Sequence, residues 1–153
     1  MLESTHRSRH DPAWLVLGLF LVVGCRGEDT GPRVYPVSGR ILVDGKPAAK
    51  AEISFHPLDP RSRQAPQPIA IAEEDGSFRP STRLSQDGAP AGEYTLTVVW
   101  RKIRVDHGEE VAGADQLNGR YNDPHRSGLR VTIKEDENTL DPIHLSLKAK
   151  TGR

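Results

Sequence analysis

Apolar residues recur at every second position in the most strongly patterned segments that follow residue 33 of this 153-residue chain. A two-residue period turns one face of a β-strand toward a core, whereas an amphipathic helix needs apolar residues three and four positions apart. After residue 33, no window of helical length shows the helical spacing. The alternation therefore predicts an all-β domain. Its segments are 35–43, 51–57, 69–72, 77–79, 93–100, 129–134 and 143–148.

Turn signals divide these segments, because the chain holds 14 Gly and 12 Pro, which favour short strands over long helices. Asp44-Gly45 and Asp75-Gly76 are typical of tight turns, and the first predicts a hairpin-like pair of segments 35–43 and 51–57. We expect the proline-rich segment 58–68 to be an exposed loop and the charged segment 107–118 to be a mobile excursion. Glu135–Glu137 is expected to be a solvated hairpin tip. About seven short strands fit an antiparallel sandwich.

The charges are balanced, since 21 basic and 21 acidic residues give a formal net charge of +0. Without a basic field, no nucleic-acid partner is expected. The length allows one domain of common size. Cys25 is the single cysteine, so no disulfide within the chain is available and packing must stabilise the fold.

Cys25 follows the small residue Gly24 and an apolar run from Leu15 to Val23, with Arg7 and Arg9 before that run. A basic start, an apolar stretch and a small residue are the three parts of a secretory signal. The run is also shorter than the roughly 20 residues that span a bilayer. We therefore expect a signal peptide at 1–24, a flexible tether at 25–33, a β-sandwich domain at 34–148 and a tail at 149–153.

The residues Val22-Val23-Gly24-Cys25 resemble the lipobox of bacterial lipoproteins, in which a diacylglycerol joins the cysteine thiol before the signal is removed. The resemblance implies lipidation at Cys25, with two or three acyl chains holding the domain on a membrane. The expected location is the cell envelope, facing the periplasm or the cell surface. The alternatives are an ordinary secretory signal with Cys25 near its end by chance, and a chance apolar helix.

Several short motifs built from turn glycines and alternating strand residues follow one another along the chain. They are Val37–Arg40, Asp44–Pro47, Ala51–Phe55, Asp75–Phe78 and Pro90–Leu96, and then Tyr121–Pro124 and Ser127–Leu129. Their order resembles the carboxypeptidase regulatory-like domain, and the last two are similar to the closing part of planctomycetal lipoproteins that carry it. That resemblance implies a seven-stranded, Greek-key, transthyretin-like sandwich without a catalytic role of its own. Similarity of fold alone does not establish an activity.

Histidines are the candidates for a metal site. His107 and Glu110 are three residues apart, the spacing of two zinc ligands in carboxypeptidases, but they fall in a segment expected to be a solvated loop. His56, His125 and His144 could share a metal only if the fold brings them together. No serine lies in a Gly-x-Ser-x-Gly elbow. We expect no catalytic residue, metal or cofactor.

Oxygen donors and aromatic rings supply two weaker candidates. Asp115, Asn118, Asn122 and Asp123 have a composition that suits calcium, but their spacing does not match a calcium-binding loop, and turn-forming roles are favoured. Tyr94 and Trp100 could form a platform for a sugar ring, although packing in a core explains them more simply. Tyr121, which lies outside that strand, is the freer candidate for a contact surface.

The sequence thus favours a lipid-anchored, exported β-sandwich with a non-catalytic binding or structural role at the cell envelope. Its expected partners are the membrane, through the lipid anchor, and an envelope protein or glycan. The alternative is a small metal-dependent or carbohydrate-active protein that uses loop His, Asp and Glu residues.

Overall fold

The computed structural model describes residues 31–148. The predicted signal peptide 1–24, Cys25, residues 26–30 of the predicted tether and the predicted tail lie outside the described residues. Within 31–148 there is no α-helix, which confirms the predicted all-β class. The strands are β1 (Val34–Tyr35), β2 (Val37–Val43), β3 (Lys46–Pro47), β4 (Glu52–Pro57), β5 (Ile69–Ile71), β6 (Ser77–Phe78), β7 (Ala89–Pro90), β8 (Gly92–Val99), β9 (Arg101–Asp106), β10 (Glu109–Asp115), β11 (Leu129–Ile133), β12 (Asn138–Thr139) and β13 (Ile143–Leu145), and a 3-10 helix spans Pro60–Gln64.

The main sheet has four antiparallel strands in the order β11-β8-β4-β5. Its central strand β8 shows the predicted alternation, because Tyr94, Leu96 and Val98 are buried on the inner face. Thr95 and Thr97 on the outer face are buried as well. A strand covered on both sides in this way is the most constrained element of the sheet.

A second set of strands forms around β2, with β3 and β6 antiparallel to it and β12 and β13 parallel to it. The parallel pairs differ from the predicted antiparallel arrangement. They arise because the chain leaves β11 in the main sheet, crosses to the second sheet and returns along β2 in the same direction. Segment 135–137 is exposed as expected, but it belongs to this crossing and is not a hairpin tip.

Both sheets contribute to one apolar core, an arrangement consistent with a β-sandwich. Phe55 of the main sheet meets the ring of Phe78 from the second sheet edge-on, with the ring centroids 6.4 Å apart. Its ring also meets Tyr94 edge-on at 5.9 Å. Such pairs add about 0.5–1.5 kcal/mol each beyond the burial of their area.

The predicted turn at Asp44-Gly45 is present, with φ values of 47° and 79°. Positive φ at both central residues matches the twist of a two-residue hairpin. The turn joins β2 to the short strand β3, whereas β4 pairs with β5 and β8. The predicted pairing of segments 35–43 and 51–57 is therefore wrong, because after the turn the chain crosses to the other sheet.

Segment 107–118 is not irregular, which corrects the expectation of a mobile excursion. Most of it lies in an antiparallel hairpin formed by β9 and β10. His107 and Gly108 form its turn, with φ values of 50° and 87° that closely repeat the backbone of Asp44-Gly45. Cross-strand hydrogen bonds thus order a segment whose charged composition alone indicated disorder.

Gly88 lies where two short strands, β1 and β7, approach each other. At its φ of +99°, an added Cβ would lie 1.8 Å from the carbonyl oxygen of Tyr35. Gly45 also has a positive φ, but nothing lies within 4 Å of its Cβ position. A side chain at Gly88 would meet both backbone strain and steric overlap, whereas one at Gly45 would meet the strain alone. Comparing the two positions therefore separates the two effects.

We expect Gly88→Ala to lower the free energy of unfolding by at least about 3 kcal/mol, since strain of about 1–3 kcal/mol adds to overpacking of similar size. Gly45→Ala should cost only about 1–2 kcal/mol, because it introduces the strain alone. Urea unfolding of the two full-length variants, followed by circular dichroism, measures the difference. Equal losses of stability would contradict the close approach of β1 and β7.

Candidate functional site

A groove of about 280 Å³ lies on the outer face of the main sheet. The loop after β4 forms one wall, and the segment before β11 contributes Pro124 and His125 to the other. The lining includes imidazole, guanidinium, hydroxyl and amide groups together with apolar side chains, and it includes no carboxylate. The lining residues are His56, Pro57, Leu58, Arg63, Ala65, Gln67, Thr95, Pro124 and His125.

The floor of the groove is part of a row of cross-strand neighbours. Thr95 of β8 is paired in register with His56 of β4 on one side and with Arg130 of β11 on the other. All three belong to the outer face, because the residues before and after them in each strand include Tyr94, Leu96 and Phe55 of the core. The register thus places Arg130 next to Thr95 on this face, although Arg130 lines two neighbouring depressions and not the groove itself.

The hydroxyl of Thr95 is unusual in this row, because its residue is almost buried and the hydroxyl has no hydrogen-bond partner among the described residues. The residue is only 6% exposed, and its hydroxyl makes no hydrogen bond with any of residues 31–148. Every fully enclosed polar side-chain atom in the described part of the chain has a partner. The Thr95 hydroxyl is therefore reachable from the groove and can bind a group that enters it.

The first wall is shaped by the 3-10 helix Pro60–Gln64, which Asp59 caps. The Asp59 carboxylate accepts the backbone N–H of Arg61 at 3.0 Å and also bonds the Arg61 guanidinium. These bonds, the side-chain one first, hold the pKa of Asp59 below its usual range. Arg63, one short turn later, has no hydrogen-bond or ion-pair partner within the described residues and lines the groove.

The second wall is also shaped by an aspartate that accepts a backbone N–H and binds an arginine. Asp123 accepts the backbone N–H of His125 at 2.8 Å and the guanidinium of Arg126 at 2.9 Å. The bond from the His125 backbone is the main cause of a lowered pKa at Asp123, with Arg126 adding to it. The turn directs the His125 side chain toward the groove, where its imidazole makes no hydrogen bond to another described residue.

His56 is held by its neighbours through both ring nitrogens. Its Nε2 lies 2.8 Å from the hydroxyl of Thr97, and its Nδ1 lies 3.2 Å from the amide nitrogen of Gln67. The same amide nitrogen also lies 3.4 Å from Nε2. An amide nitrogen only donates, so its shorter contact favours the tautomer in which Nδ1 accepts and Nε2 donates to Thr97. Burial lowers the pKa of His56.

The structure brings two of the three candidate histidines together. His56 and His125 line the groove, whereas His144 lies on β13 and faces a different depression, between β11 and the second sheet. His107 is 96% exposed in a hairpin turn and pairs with Asp106, while Glu110 pairs with Lys50. Among residues 31–148, no three His, Cys, Asp or Glu side chains are placed to share a metal ion.

The oxygen donors considered for calcium have structural partners. Asp115 accepts the backbone N–H groups of Trp100, Leu117 and Gly119 at 2.8–3.1 Å. Asn118 has a φ of 52°, as a turn residue often does. With Asp123 in the second wall of the groove, the four residues are spread over two turns, as the turn-forming interpretation predicts.

The aromatic candidates contribute to packing. Tyr94 is buried and donates its hydroxyl to the carbonyl of Pro90, and the Trp100 indole donates to the carbonyl of Ala49. Tyr121 packs against the core, and its hydroxyl accepts the backbone N–H of Ser146. Tyr121, the freer candidate for a contact surface, is partly buried, and part of its ring and its hydroxyl are engaged within the fold.

The sequence offered little signal for the other groove residues. Arg63 and Gln67 lie in an aperiodic loop, so nothing in their spacing marks them. Thr95 alternates with core residues, and its nearness to His56 depends on how β4 and β8 pair. Only knowledge of that register would have identified it.

Cys25 lies outside the described residues, so the structure does not address the lipidation site. Within residues 31–148, no helix combines the length and the apolar character needed to cross a membrane.

No family model matches the chain, and no curated protein matches it. Among solved structures, the chain is similar to part of a 9R-lipoxygenase from Cyanothece PCC8801, with 16% sequence identity and a TM-score of 0.34. The similarity covers 69% of this chain and 16% of that one, so this chain corresponds to a small part of the lipoxygenase. A likeness at this level assigns no activity.

We expect His56 in the folded chain to titrate below the ordinary histidine value of about 6.5, since burial disfavours its charged form. Long-range ¹H–¹⁵N NMR of the full-length chain measures both the midpoint and the tautomer, which should carry the proton on Nε2. The unfolded chain binds this proton more readily, so the associated stability is complete above about pH 6.5 and is lost as pH falls through the lowered pKa. A midpoint above 6.5 would contradict this geometry.

Proposed function

We propose that this chain is an exported, lipid-anchored β-domain with a non-catalytic binding role at the cell envelope, and that the groove on its main sheet is the binding site. One observation carries the proposal. The floor of the groove holds the hydroxyl of Thr95, 6% exposed as a residue and without a hydrogen-bond partner among the described residues. Because this hydroxyl is reachable from the groove and forms no bond within the described residues, it is available to a ligand that enters.

The construction of the groove supports a binding role. Its floor belongs to strands that are hydrogen-bonded to neighbours, and each wall is fixed by an aspartate that caps a turn. A preformed site loses little conformational entropy when a ligand enters. Concave sites with a few fixed polar groups among apolar walls are the usual form of ligand sites in proteins.

A non-catalytic role is favoured by the state of His56. Both of its ring nitrogens have partners within the fold, so it has no free nitrogen to accept a proton from a substrate. The carboxylates that cap the two walls, Asp59 and Asp123, are engaged with arginines and backbone N–H groups. The groups left available are suited to holding a ligand in place.

For the fold, we propose the seven-stranded, Greek-key, transthyretin-like sandwich that the sequence motifs imply. Support comes from the tight turns found at Asp44-Gly45 and Asp75-Gly76, and from the central strand that the motif Pro90–Leu96 enters. The proposed fold must also be reconciled with the pairing of β13 and β2, which is parallel, whereas the predicted sandwich is antiparallel.

For the anchor, we expect Cys25→Ser to abolish lipid attachment, because the thioether bond needs the thiol. The full-length chain would be expressed with labelled palmitate in a bacterial host that processes lipoproteins. Wild type should carry label and partition into membranes at the mass of a processed chain, and the variant should stay unlabelled at the precursor mass. A labelled, processed Cys25→Ser chain would contradict the anchor.

For the groove, we expect Ala65→Trp to abolish ligand retention, because the indole fills the space beside Arg63 and Thr95. Ala114→Trp, on an exposed position of β10, is the matched control. Immobilised full-length chains would be incubated with the protein and glycan fractions of an envelope extract from the source organism. Material retained by wild type and by the control should be absent from Ala65→Trp and should be recovered chemically unchanged.

Equal retention by all three chains would show that the groove is not the binding site. Conversion of the retained material would show that the role is not purely one of binding. Urea unfolding of each chain identifies any loss that comes from misfolding.

A further inference from the structure

An arginine without a partner lines the groove. Arg63 belongs to the first wall, and its guanidinium forms no hydrogen bond or ion pair with any of residues 31–148. Arg130 is the in-register neighbour of Thr95, but it lines two neighbouring depressions and not this groove. The unpaired guanidinium of Arg63 and the reachable hydroxyl of Thr95 therefore line one groove.

The carboxylates near the walls of the groove do not cancel the charge of Arg63. Asp59 is paired with Arg61, and Asp123 is paired with Arg126. Glu93 belongs to the same outer face, but it lines a neighbouring depression together with Arg130. Because no carboxylate is among the residues that line the groove, its unpaired arginine favours an anionic group.

Neutral hydrogen-bonding groups complete the site. The hydroxyl of Thr95 can both donate and accept, and the amide oxygen of Gln67 is an acceptor that remains free when its nitrogen bonds His56. The His125 imidazole adds another polar edge. A ligand that carries one anionic group and several hydroxyls would match this combination of charged and neutral groups.

We propose that the groove binds a carboxylated sugar residue, with its carboxylate held by Arg63 and its hydroxyls by Thr95 and Gln67. This inference rests on the proposed function of the groove and names the class of its ligand. A planar carboxylate accepts two parallel bonds from a guanidinium, which gives arginine its preference for such groups. The volume of about 280 Å³ suits one sugar residue of a chain.

An acidic peptide fits the site less well. Extended peptides commonly bind by adding a strand to a free sheet edge or by lying in a long groove. This groove is a short depression on a sheet face between two loops, and its floor strand β8 already has a neighbour on each side. A compact ring with hydroxyls around it uses the neutral groups that a peptide backbone would leave unpaired.

The test uses the full-length chain in detergent micelles, titrated separately with D-glucuronate, D-glucose, N-acetylglutamate and inorganic phosphate, and followed by ¹H–¹⁵N NMR. D-glucuronate should bind at least about tenfold more tightly than each of the other three. Arg63→Gln should weaken D-glucuronate binding by about tenfold, as expected for the loss of one charge-assisted interaction. Thr95→Val should weaken D-glucuronate and D-glucose alike.

The control is Arg104→Gln, which makes the same charge change at an exposed position of β9 and should leave D-glucuronate binding unchanged. If Arg104→Gln weakens binding as much as Arg63→Gln, the effect is one of net charge and the proposal fails. It also fails if N-acetylglutamate or phosphate binds as tightly as D-glucuronate, or if none of the four binds.

Failure of this inference is distinguishable from failure of the proposed function. If D-glucose and D-glucuronate bind equally and Ala65→Trp abolishes both, the groove remains a binding site and only the carboxylate requirement is lost. If envelope material is retained independently of Ala65, the groove itself is excluded.

Discussion

The position of β8 in the middle of the main sheet is the constraint on which the rest of the structure depends. Hydrogen bonds to β4 and β11 fix its register on both sides, and its two faces are both buried. A slip by one residue would move Leu96 out of the core and Thr95 into it, so the register is strongly specified. The same register that packs Leu96 inside places Thr95 between His56 and Arg130 outside. Core packing and the composition of the groove are thus two results of one pairing.

The walls of the groove depend on local chemistry that is independent of the sheet. Asp59 and Asp123 each accept the backbone N–H two residues later, and each binds a nearby arginine. One carboxylate thus holds the turn through the backbone N–H and also pairs with the arginine. This arrangement also separates the basic groups into two kinds, because Arg61 and Arg126 are engaged while Arg63 is left without a partner. Which arginines are left unpaired therefore determines the charge of the groove as much as how many arginines its loops contain.

The sequence predicted the strands well and their partners poorly. The alternation of Tyr94, Leu96 and Val98 is a local signal, and the structure confirms the inner face that it indicated. Pairing is not local, and nothing in segments 35–43 and 51–57 records that they lie in different sheets. At the hairpin turn His107-Gly108 the sequence offers a glycine but not the Asp-Gly pair of the turn at 44–45, and the charged residues around it suggested an irregular segment. His56 and His125 could be picked out by residue type, whereas Thr95 gains its meaning only from the register.

The contrast between the two histidines decides what kind of site the groove can be. A metal ion needs a free nitrogen on each imidazole, and His56 would have to give up Thr97 or Gln67 to provide one. His125 has an unbonded ring, but none of the residues that line the groove offers it a carboxylate as a second ligand. The groups in its lining that remain free of internal bonds are a hydroxyl, an amide oxygen, one imidazole and one guanidinium group. Apart from the amide oxygen, all of these can donate hydrogen bonds, so the groove is better matched to oxygen atoms of a ligand than to a cation.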